Sequence, residues 1–148
     1  MINPNHFRIY VVRPTLVIMD MHSQAAENLL IGTAITESHL TFLKQHGPGP
    51  ACGVFQIEPT TALDVMRYVA SKPKIQLPRY TGELEYALKV DLGFQTQVAR
   101  LKYWMQPEPL PHEDNIMGLA EYWKTYYNTP KGAGQVEDFV LKYEQNAL

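Results

Sequence analysis

Apolar side chains recur every three or four residues along most of the chain, which predicts helices rather than strands. The clearest case runs from about Gln24 to Thr36 and follows Ser23, a favourable N-cap residue. The residues at helical spacing there are Ala26, Leu29, Leu30, Thr33, Ala34 and Glu37. Because the apolar face runs directly into Glu37, we expect this carboxylate at the C-terminal end of a core helix, beside the core rather than in bulk water.

Six other segments show the helical period, and regions rich in proline and glycine separate them. The first follows Pro14 and the last contains Val136, Phe139, Val140 and Tyr143; the others run from about Thr60 to Ala70, Thr81 to Val90, Leu92 to Met105 and Glu113 to Tyr127. Val54, Phe55 and Ile57 predict a short extended segment. The pattern therefore predicts a mainly α fold, with six to seven short helices around one core and at most a very small β element.

Length, charge and cysteine content narrow the range of functions. The 148 residues suit a single domain, 1–148, with a core that needs no disulfides. The formal net charge of −2 gives no reason to expect nucleic-acid binding, and the one cysteine, Cys52, excludes an intramolecular disulfide. No apolar run approaches the roughly 20 residues of a membrane span. The run from Ile9 to Val12 is short and is interrupted by Arg13 and Pro14, so we expect no standard export signal.

Three short segments carry the candidate chemistry when they are considered together. They are Ile35-Thr-Glu37-Ser38, then Gly53-Val-Phe-Gln56-Ile-Glu-Pro59-Thr-Thr-Ala62, and finally Tyr127-Asn128-Thr-Pro-Lys-Gly132-Ala-Gly134. Each is commonplace alone, but their order and the sixteen-residue interval from Glu37 to Gly53 are more specific. In these blocks, over roughly Ser23 to Phe139, the chain resembles the lytic transglycosylase and goose-type lysozyme branch of the lysozyme-like superfamily.

The resemblance implies a lysozyme-like fold and an enzyme, a lytic transglycosylase or muramidase, that cleaves the bond between N-acetylmuramic acid and N-acetylglucosamine in peptidoglycan. By the same resemblance Glu37 is the catalytic acid and base, and no metal or cofactor takes part. The implied substrate-binding residues are Ser38, Phe55, Gln56, Tyr127 and Asn128. The chain departs from the family in two places: Phe55 stands where the family usually has Met, and the third block has an extra residue before its glycines.

The run from Trp123 to Gly132 is similar to small phage-encoded members of this superfamily. That similarity implies an endolysin or a virion-associated protein, located in the phage particle or the host cytoplasm and acting on the bacterial cell wall or periplasm. The implied partners are peptidoglycan glycan strands and phage virion proteins.

The chemical requirements of an acid that cleaves a glycosidic bond agree with the predicted position of Glu37. A proton donor must stay protonated near neutral pH, whereas an ordinary glutamic acid has a pKa of about 4.3. Partial burial beside apolar residues such as Phe55 and Ile57 disfavours the charged form, and so does the negative end of a helix dipole. The amide of Gln56 can hold an N-acetyl group or orient the acid. The hydroxyl group of Tyr127 can fix Glu37, or its oxygen can stabilise a positively charged sugar ring.

Two outcomes of cleavage remain open. By resemblance, a single glutamic acid gives a 1,6-anhydro sugar, because the acid returns as a base and activates the 6-hydroxyl of the sugar; we favour this outcome. Hydrolysis requires a second carboxylate placed across the sugar ring. The available carboxylates are Glu58, Asp64 and Asp91, and spacing does not select among them.

Other interpretations compete with the enzyme. A non-catalytic virion or tail protein that keeps the fold for wall binding or assembly fits the departures in the third block, and chitin shares the N-acetyl sugar. A zinc site is disfavoured because the spacing of His39, His46, Cys52 and His112 matches no usual ligand pattern. Trp104 and Trp123 lie on helical stripes, so we expect them in the core.

Overall fold

Helices account for most of the chain in the computed structural model, which describes residues 1–146. The α-helices are α1 (Pro4–Phe7), α2 (Arg13–Ile18), α3 (Gln24–Ser38), α4 (Pro59–Ala70), α5 (Leu84–Val90), α6 (Leu92–Trp104), α7 (Ile116–Trp123) and α8 (Val136–Asn146). Two π-helical turns, Arg8–Val12 and Lys124–Asn128, extend them. The β structure in this part of the chain is limited to the isolated pairs Lys44–Cys52 and Cys52–Ile57. The prediction of a mainly α fold is confirmed; residues 147 and 148 of the predicted domain lie outside the described residues.

Helix α3 forms the centre of the fold. Twelve of its fifteen residues are buried, and α6, α7, α8 and the first π-helical turn pack around it. Gly32 lets α8 come close, because a Cβ at this position would overlap the ring of Phe139. Glycine inside a helix costs about 0.5–1 kcal/mol relative to alanine. Here the cost is offset by burial of a complete phenyl ring against the helix backbone.

The two ends of α3 explain the placement of Glu37. Ser23 caps the N-terminus as predicted, since its Oγ accepts a hydrogen bond from the Ala26 amide at 3.0 Å. At the other end His39 adopts a left-handed conformation, with φ of 53°, and stops the helix. The helix extends two residues beyond the predicted Thr36. Glu37 therefore lies in the last turn of a core helix, as its position in the apolar pattern predicts.

The N-terminal segment is more helical than its sequence predicts. The helical path begins at Pro4 and not at Pro14, with Asn3 as its side-chain cap, and it continues through the π-helical turn into α2. Proline has no amide hydrogen and clashes with a regular helix when it lies in the interior. The wider π-helical turn ends at Val12, and Pro14 lies in the first turn of α2, where a proline is tolerated, so the chain continues in a helical path.

Glu27 attaches this N-terminal segment to α3. Its carboxylate is fully buried and accepts hydrogen bonds from Arg13 Nε and Nη2 at 2.9 and 3.0 Å and from Arg8 Nη1 at 3.3 Å. His22 Nε2 lies 2.5 Å from the same carboxylate. Burial raises the pKa of Glu27, but the hydrogen bonds from Arg13, His22 and Arg8 outweigh it and lower the pKa overall. Glu27 is therefore an ionised structural carboxylate.

Three local predictions are wrong. Val54 and Phe55 lie in a turn and not in an extended segment, because Gly53 and Gln56 have φ of 76° and 49° and reverse the chain; Ile57 then pairs with Cys52. Helix α5 starts at Leu84 and not near Thr81, since Gly82 has a left-handed φ of 75° and interrupts the helix there. Helix α7 starts at Ile116 and not near Glu113, because the side chain of Asn115 accepts from the Gly118 amide and fixes the start.

Candidate active site

Glu37 is sheltered, and an indole holds its carboxyl group. Trp123 Nε1 donates a hydrogen bond to Glu37 Oε1 at 2.9 Å. Burial raises the pKa of Glu37, while the Trp123 hydrogen bond and the charges of Lys102 and Lys142 lower it; burial dominates, so the pKa lies above its ordinary value. The indole N–H is a donor only, and the carbonyl oxygen of a protonated carboxyl group is a better acceptor than its hydroxyl oxygen. When Glu37 is protonated and keeps this bond, the hydrogen bond therefore favours the proton on Oε2.

An open cleft of about 300 Å³ lies beside Glu37. Its lining residues are Glu37, Gln56, Ile57, Glu58, Thr61, Lys102, Tyr127, Asn128 and Thr129. The cleft thus brings together one or more residues from each of the three sequence blocks, although Glu37 and Thr129 are 92 positions apart in the sequence. Four of the six predicted site residues, Glu37, Gln56, Tyr127 and Asn128, line it.

Ser38 and Phe55, the other two predicted site residues, support the cleft from behind. Ser38 is 1% exposed and Phe55 is 0% exposed, so neither side chain lines the cleft as the predicted substrate-binding role requires. Ser38 Oγ donates to the carbonyl of Val54 at 2.7 Å, which ties the end of α3 to the turn at 53–56. The Phe55 ring points into the core, with its centroid 6.0 Å from that of Phe7. Both side chains fix the backbone that presents Gln56.

Tyr127 supports the same turn from the opposite side. Its hydroxyl donates to the carbonyl of Phe55 at 2.6 Å, so it is not the group that fixes Glu37, which was one predicted role. Burial raises the pKa of Tyr127 well above the ordinary value, and the neighbouring Glu37 and Tyr103 act in the same direction. Tyr127 therefore lines the cleft as a neutral side chain.

Gln56 and Asn128 both line the cleft and offer polar side-chain atoms to a ligand. One amide N–H of Gln56 donates to the carbonyl of Gly53 at 2.9 Å, which leaves its amide oxygen and second N–H for a ligand. Asn128 Oδ1 accepts from Lys124 Nζ at 2.8 Å, and the same ammonium donates to the carbonyl of Gly132 at 2.8 Å. The Asn128 amide nitrogen is therefore the group of this side chain that remains to donate to a sugar oxygen.

Lys102 places a cation in the cleft. Its Nζ donates to the carbonyl of Tyr127 at 3.0 Å and lies 3.9 Å from the centroid of the Tyr127 ring. Burial lowers the pKa of Lys102, while the charges of Glu37 and Glu58 raise it; the net change is downward. Sequence reasoning missed this residue, because a lysine between the apolar positions of a helix usually lies on its solvated face.

Of the three carboxylates considered as a second catalytic group, the cleft contains one. Glu58 lines the cleft and is exposed to solvent. Asp64 lies on the outer face of α4, with Arg67 Nη1 at 3.6 Å, and Asp91 caps α6 through the Phe94 amide at 2.9 Å. Glu58 is therefore the remaining candidate for activating water opposite Glu37.

Trp123 is the second site residue that sequence reasoning missed. It was expected in the core because it lies on the apolar stripe of α7, and its ring is indeed 1% exposed. One general rule indicates a role beyond packing, because a buried indole needs an acceptor for its N–H group. In a chain with few buried carboxylates, Glu37 was an available acceptor. Trp104, by contrast, is partly buried on α6, with its ring centroid 6.1 Å from that of Tyr68.

Other features of the molecule are weaker candidates for a functional site. A larger cleft of about 380 Å³ lies between the end of α2 and the 74–79 loop, and its only carboxylate is Asp20. Among residues 1–146, no three His, Cys, Asp or Glu side chains are close enough to hold a metal ion. No helix in the same part of the chain has the length and apolarity to cross a membrane. Cys52 is buried, and burial raises the pKa of its thiol.

Comparison of the chain with protein-family models, with curated proteins and with solved structures finds no match.

Proposed function

We propose that this protein cleaves a glycosidic bond in peptidoglycan, with Glu37 as the general acid. The observation that carries the proposal is a glutamic acid whose pKa is raised by burial, while it lines an open cleft of about 300 Å³. A raised pKa in a cleft is typical of a catalytic acid. The resemblance of the Glu37, Gln56 and Tyr127 blocks to lytic transglycosylases supports the choice of substrate and of a lysozyme-like fold.

The first chemical step transfers the proton of Glu37 to the glycosidic oxygen. The bond from that oxygen to the anomeric carbon breaks, the leaving sugar departs as an alcohol, and positive charge develops on the remaining ring. Glu37 becomes a carboxylate at the same moment. The Trp123 N–H and the charges of Lys102 and Lys142 then stabilise this carboxylate, because each favours its charged form. The same contacts limit how far burial raises the pKa, so the acid can still release its proton.

The second step consumes the positively charged ring, and we propose that the 6-hydroxyl of the same sugar is the nucleophile. Glu37, now a carboxylate, accepts the hydroxyl proton and returns to its starting state, so a 1,6-anhydro sugar forms. The state of Glu58 favours this outcome over hydrolysis. Its side chain is exposed, and among the described residues no hydrogen bond fixes its orientation, whereas activation of water requires a fixed carboxylate.

The proposal is tested with purified full-length protein and insoluble peptidoglycan. The wild type should release soluble muropeptides, and mass spectrometry should detect the 1,6-anhydro form. Glu37→Gln should abolish release, because an amide of the same shape cannot donate the proton; a loss of about 100-fold or more is the scale for a general acid. Glu121→Gln, at an exposed position on α7, is the matched control.

Three outcomes lead to different conclusions. Release that persists in Glu37→Gln excludes Glu37 as the acid. Hydrolysed products that disappear in Glu58→Gln assign Glu58 as the second carboxylate and replace the anhydro product. Pull-down of the wild type by peptidoglycan with no soluble product supports the non-catalytic wall-binding alternative, which also places the protein in a virion or tail.

A further inference from the structure

We propose that Lys102 forms an anion subsite in the cleft and selects substrates that carry a carboxylate beside the bond that is cut. The inference rests on the proposed function, and it concerns the choice among polymers of N-acetyl sugars. Peptidoglycan carries carboxylates on its lactyl groups or its peptide stems, whereas chitin carries none. The relevant contacts are those around one ammonium group, Lys102 Nζ.

The first step of the argument is that Lys102 is fixed in place. Its Nζ donates to the carbonyl of Tyr127 at 3.0 Å, and the Tyr127 ring centroid lies 3.9 Å away. Tyr127 is itself held by its hydrogen bond to the Phe55 carbonyl at 2.6 Å. An ammonium has three N–H donors. The carbonyl takes one and the ring face attracts the cation, which leaves donor capacity for a ligand in the cleft that Lys102 lines.

The second step is that Lys102 has no counter-ion at contact distance. Across residues 1–146 the ion pairs involve other side chains, and none includes Lys102. The two carboxylates whose charges act on Lys102 are Glu37, which is neutral when it is ready to act as an acid, and Glu58, which is exposed to solvent. A partly buried cation without an anionic partner is unfavourable. A carboxylate brought by the ligand would remove that penalty.

Two sources of carboxylate are possible, and the experiment separates them. The lactyl group of N-acetylmuramic acid is a free carboxylate on stem-free glycan strands, but it is an amide wherever a peptide stem is attached. Stem-bearing strands instead offer the carboxylates of the peptide. Three probes therefore suffice: a stem-free tetrasaccharide of alternating N-acetylglucosamine and N-acetylmuramic acid, its lactyl methyl amide, and the same tetrasaccharide with peptide stems.

Binding is measured by isothermal titration calorimetry on full-length protein that carries Glu37→Gln, so that no probe is cut. We expect at least one carboxylate-bearing probe to bind about tenfold more tightly than the methyl amide, which corresponds to about 1.4 kcal/mol. In Lys102→Met this ratio should fall toward one, and Lys102→Arg should restore it because the cation returns. Lys142→Met is the matched control. Lys142 also acts on Glu37 electrostatically but does not line the cleft, so the ratio should persist.

Each result decides something. If both carboxylate-bearing probes bind no more tightly than the methyl amide, the anion subsite is wrong, even if the wild type still cleaves peptidoglycan. If the ratio is unchanged in folded Lys102→Met, the carboxylate is recognised elsewhere and the assignment to Lys102 fails. If none of the three probes binds, both this inference and the proposed function fail. Should Lys102→Met not fold, equal ratios for Lys102→Arg and the parent would support the subsite, and a ratio near one in the folded Lys102→Arg would overturn it.

Discussion

Replacing Trp123 by Phe isolates the contribution of one hydrogen bond to the acidity of Glu37. The indole N–H donates to Glu37 Oε1 at 2.9 Å, and the ring packs in the core with its centroid 5.8 Å from that of Phe139. Phenylalanine keeps an aromatic ring in the same place but removes the donor. The change therefore perturbs the carboxyl group with limited damage to packing, for which the expected loss of stability is about 0.5–3 kcal/mol.

The size of the effect follows from the two protonation states of Glu37. A hydrogen bond to a charged group contributes about 1.5–3 kcal/mol, and one between neutral groups about 0.5–1.5 kcal/mol. The indole can donate to Oε1 in both states, so only the difference, about 1–1.5 kcal/mol, favours the ionised form. Since about 1.4 kcal/mol corresponds to one pKa unit, the pKa of Glu37 should rise by about one unit in Trp123→Phe.

The assay is the pH dependence of kcat/KM for release of soluble product from peptidoglycan. A general acid must be protonated, so activity falls on the alkaline side as Glu37 ionises. A higher pKa moves that alkaline limb upward by about one pH unit. The maximal rate should fall at the same time, because Oε1 is no longer held and no hydrogen bond favours the proton on Oε2.

Trp104→Phe is the matched control, since Trp104 contacts Tyr68 and is not bonded to Glu37. Its alkaline limb should coincide with that of the wild type. An alkaline limb that stays in place or moves downward in folded Trp123→Phe would refute the reasoning, because it would mean that the indole does not favour the carboxylate.

Two further predictions concern stability. Burial raises the pKa of Glu37, so its ionised form costs folding free energy at every pH above the ordinary pKa of 4.5. Glu37→Gln should therefore unfold at a higher temperature than the wild type at pH 7, while it loses activity. Equal or lower thermal stability of the variant would contradict this prediction. The pKa of Glu27 is lowered, so its stabilisation is complete above pH 4.5 and is lost as the pH falls through the folded-state pKa. Glu27→Gln should therefore cost about 3–5 kcal/mol at pH 7 in urea unfolding, with a difference from the wild type that shrinks under acid; a pH-independent difference would count against the ion cluster.

The helices were predictable where local chemistry decides them. Ser23 caps α3 through a side-chain oxygen, and the apolar period continues to Glu37, so both ends of that helix are visible in the sequence. The turn at 53–56 was not, because its shape depends on left-handed conformations at Gly53 and Gln56. A glutamine in that conformation is unusual. Here the turn is held by Ser38 and Tyr127, which are distant in the sequence. Their hydrogen-bond acceptors are backbone carbonyls of the turn, which no motif specifies.

The sequence predicts only part of the cleft, because the remaining contacts again come from residues that are distant along the chain. Motif order identified Glu37, Gln56, Tyr127 and Asn128, which share one cleft. It assigned Ser38 and Phe55 to the substrate, although they are sealed, because a motif does not distinguish a residue that contacts substrate from one that shapes the backbone. It missed the partners of Glu37, which lie on α6, α7 and α8 and meet the acid through tertiary packing alone.

Glu27 and Glu37 show how one helix carries two carboxylates with opposite states. They lie ten residues apart on α3. Glu27 lies in the first turn, where the helix dipole favours a negative charge, and it is bound by two arginines and a histidine. Glu37 lies in the last turn, where the dipole opposes the charge, and it accepts from a neutral indole. Burial acts on both in the same direction. At Glu27 the hydrogen bonds from the arginines and the histidine outweigh burial and lower the pKa. At Glu37 the indole and the charges of Lys102 and Lys142 do not outweigh burial, so the pKa is raised.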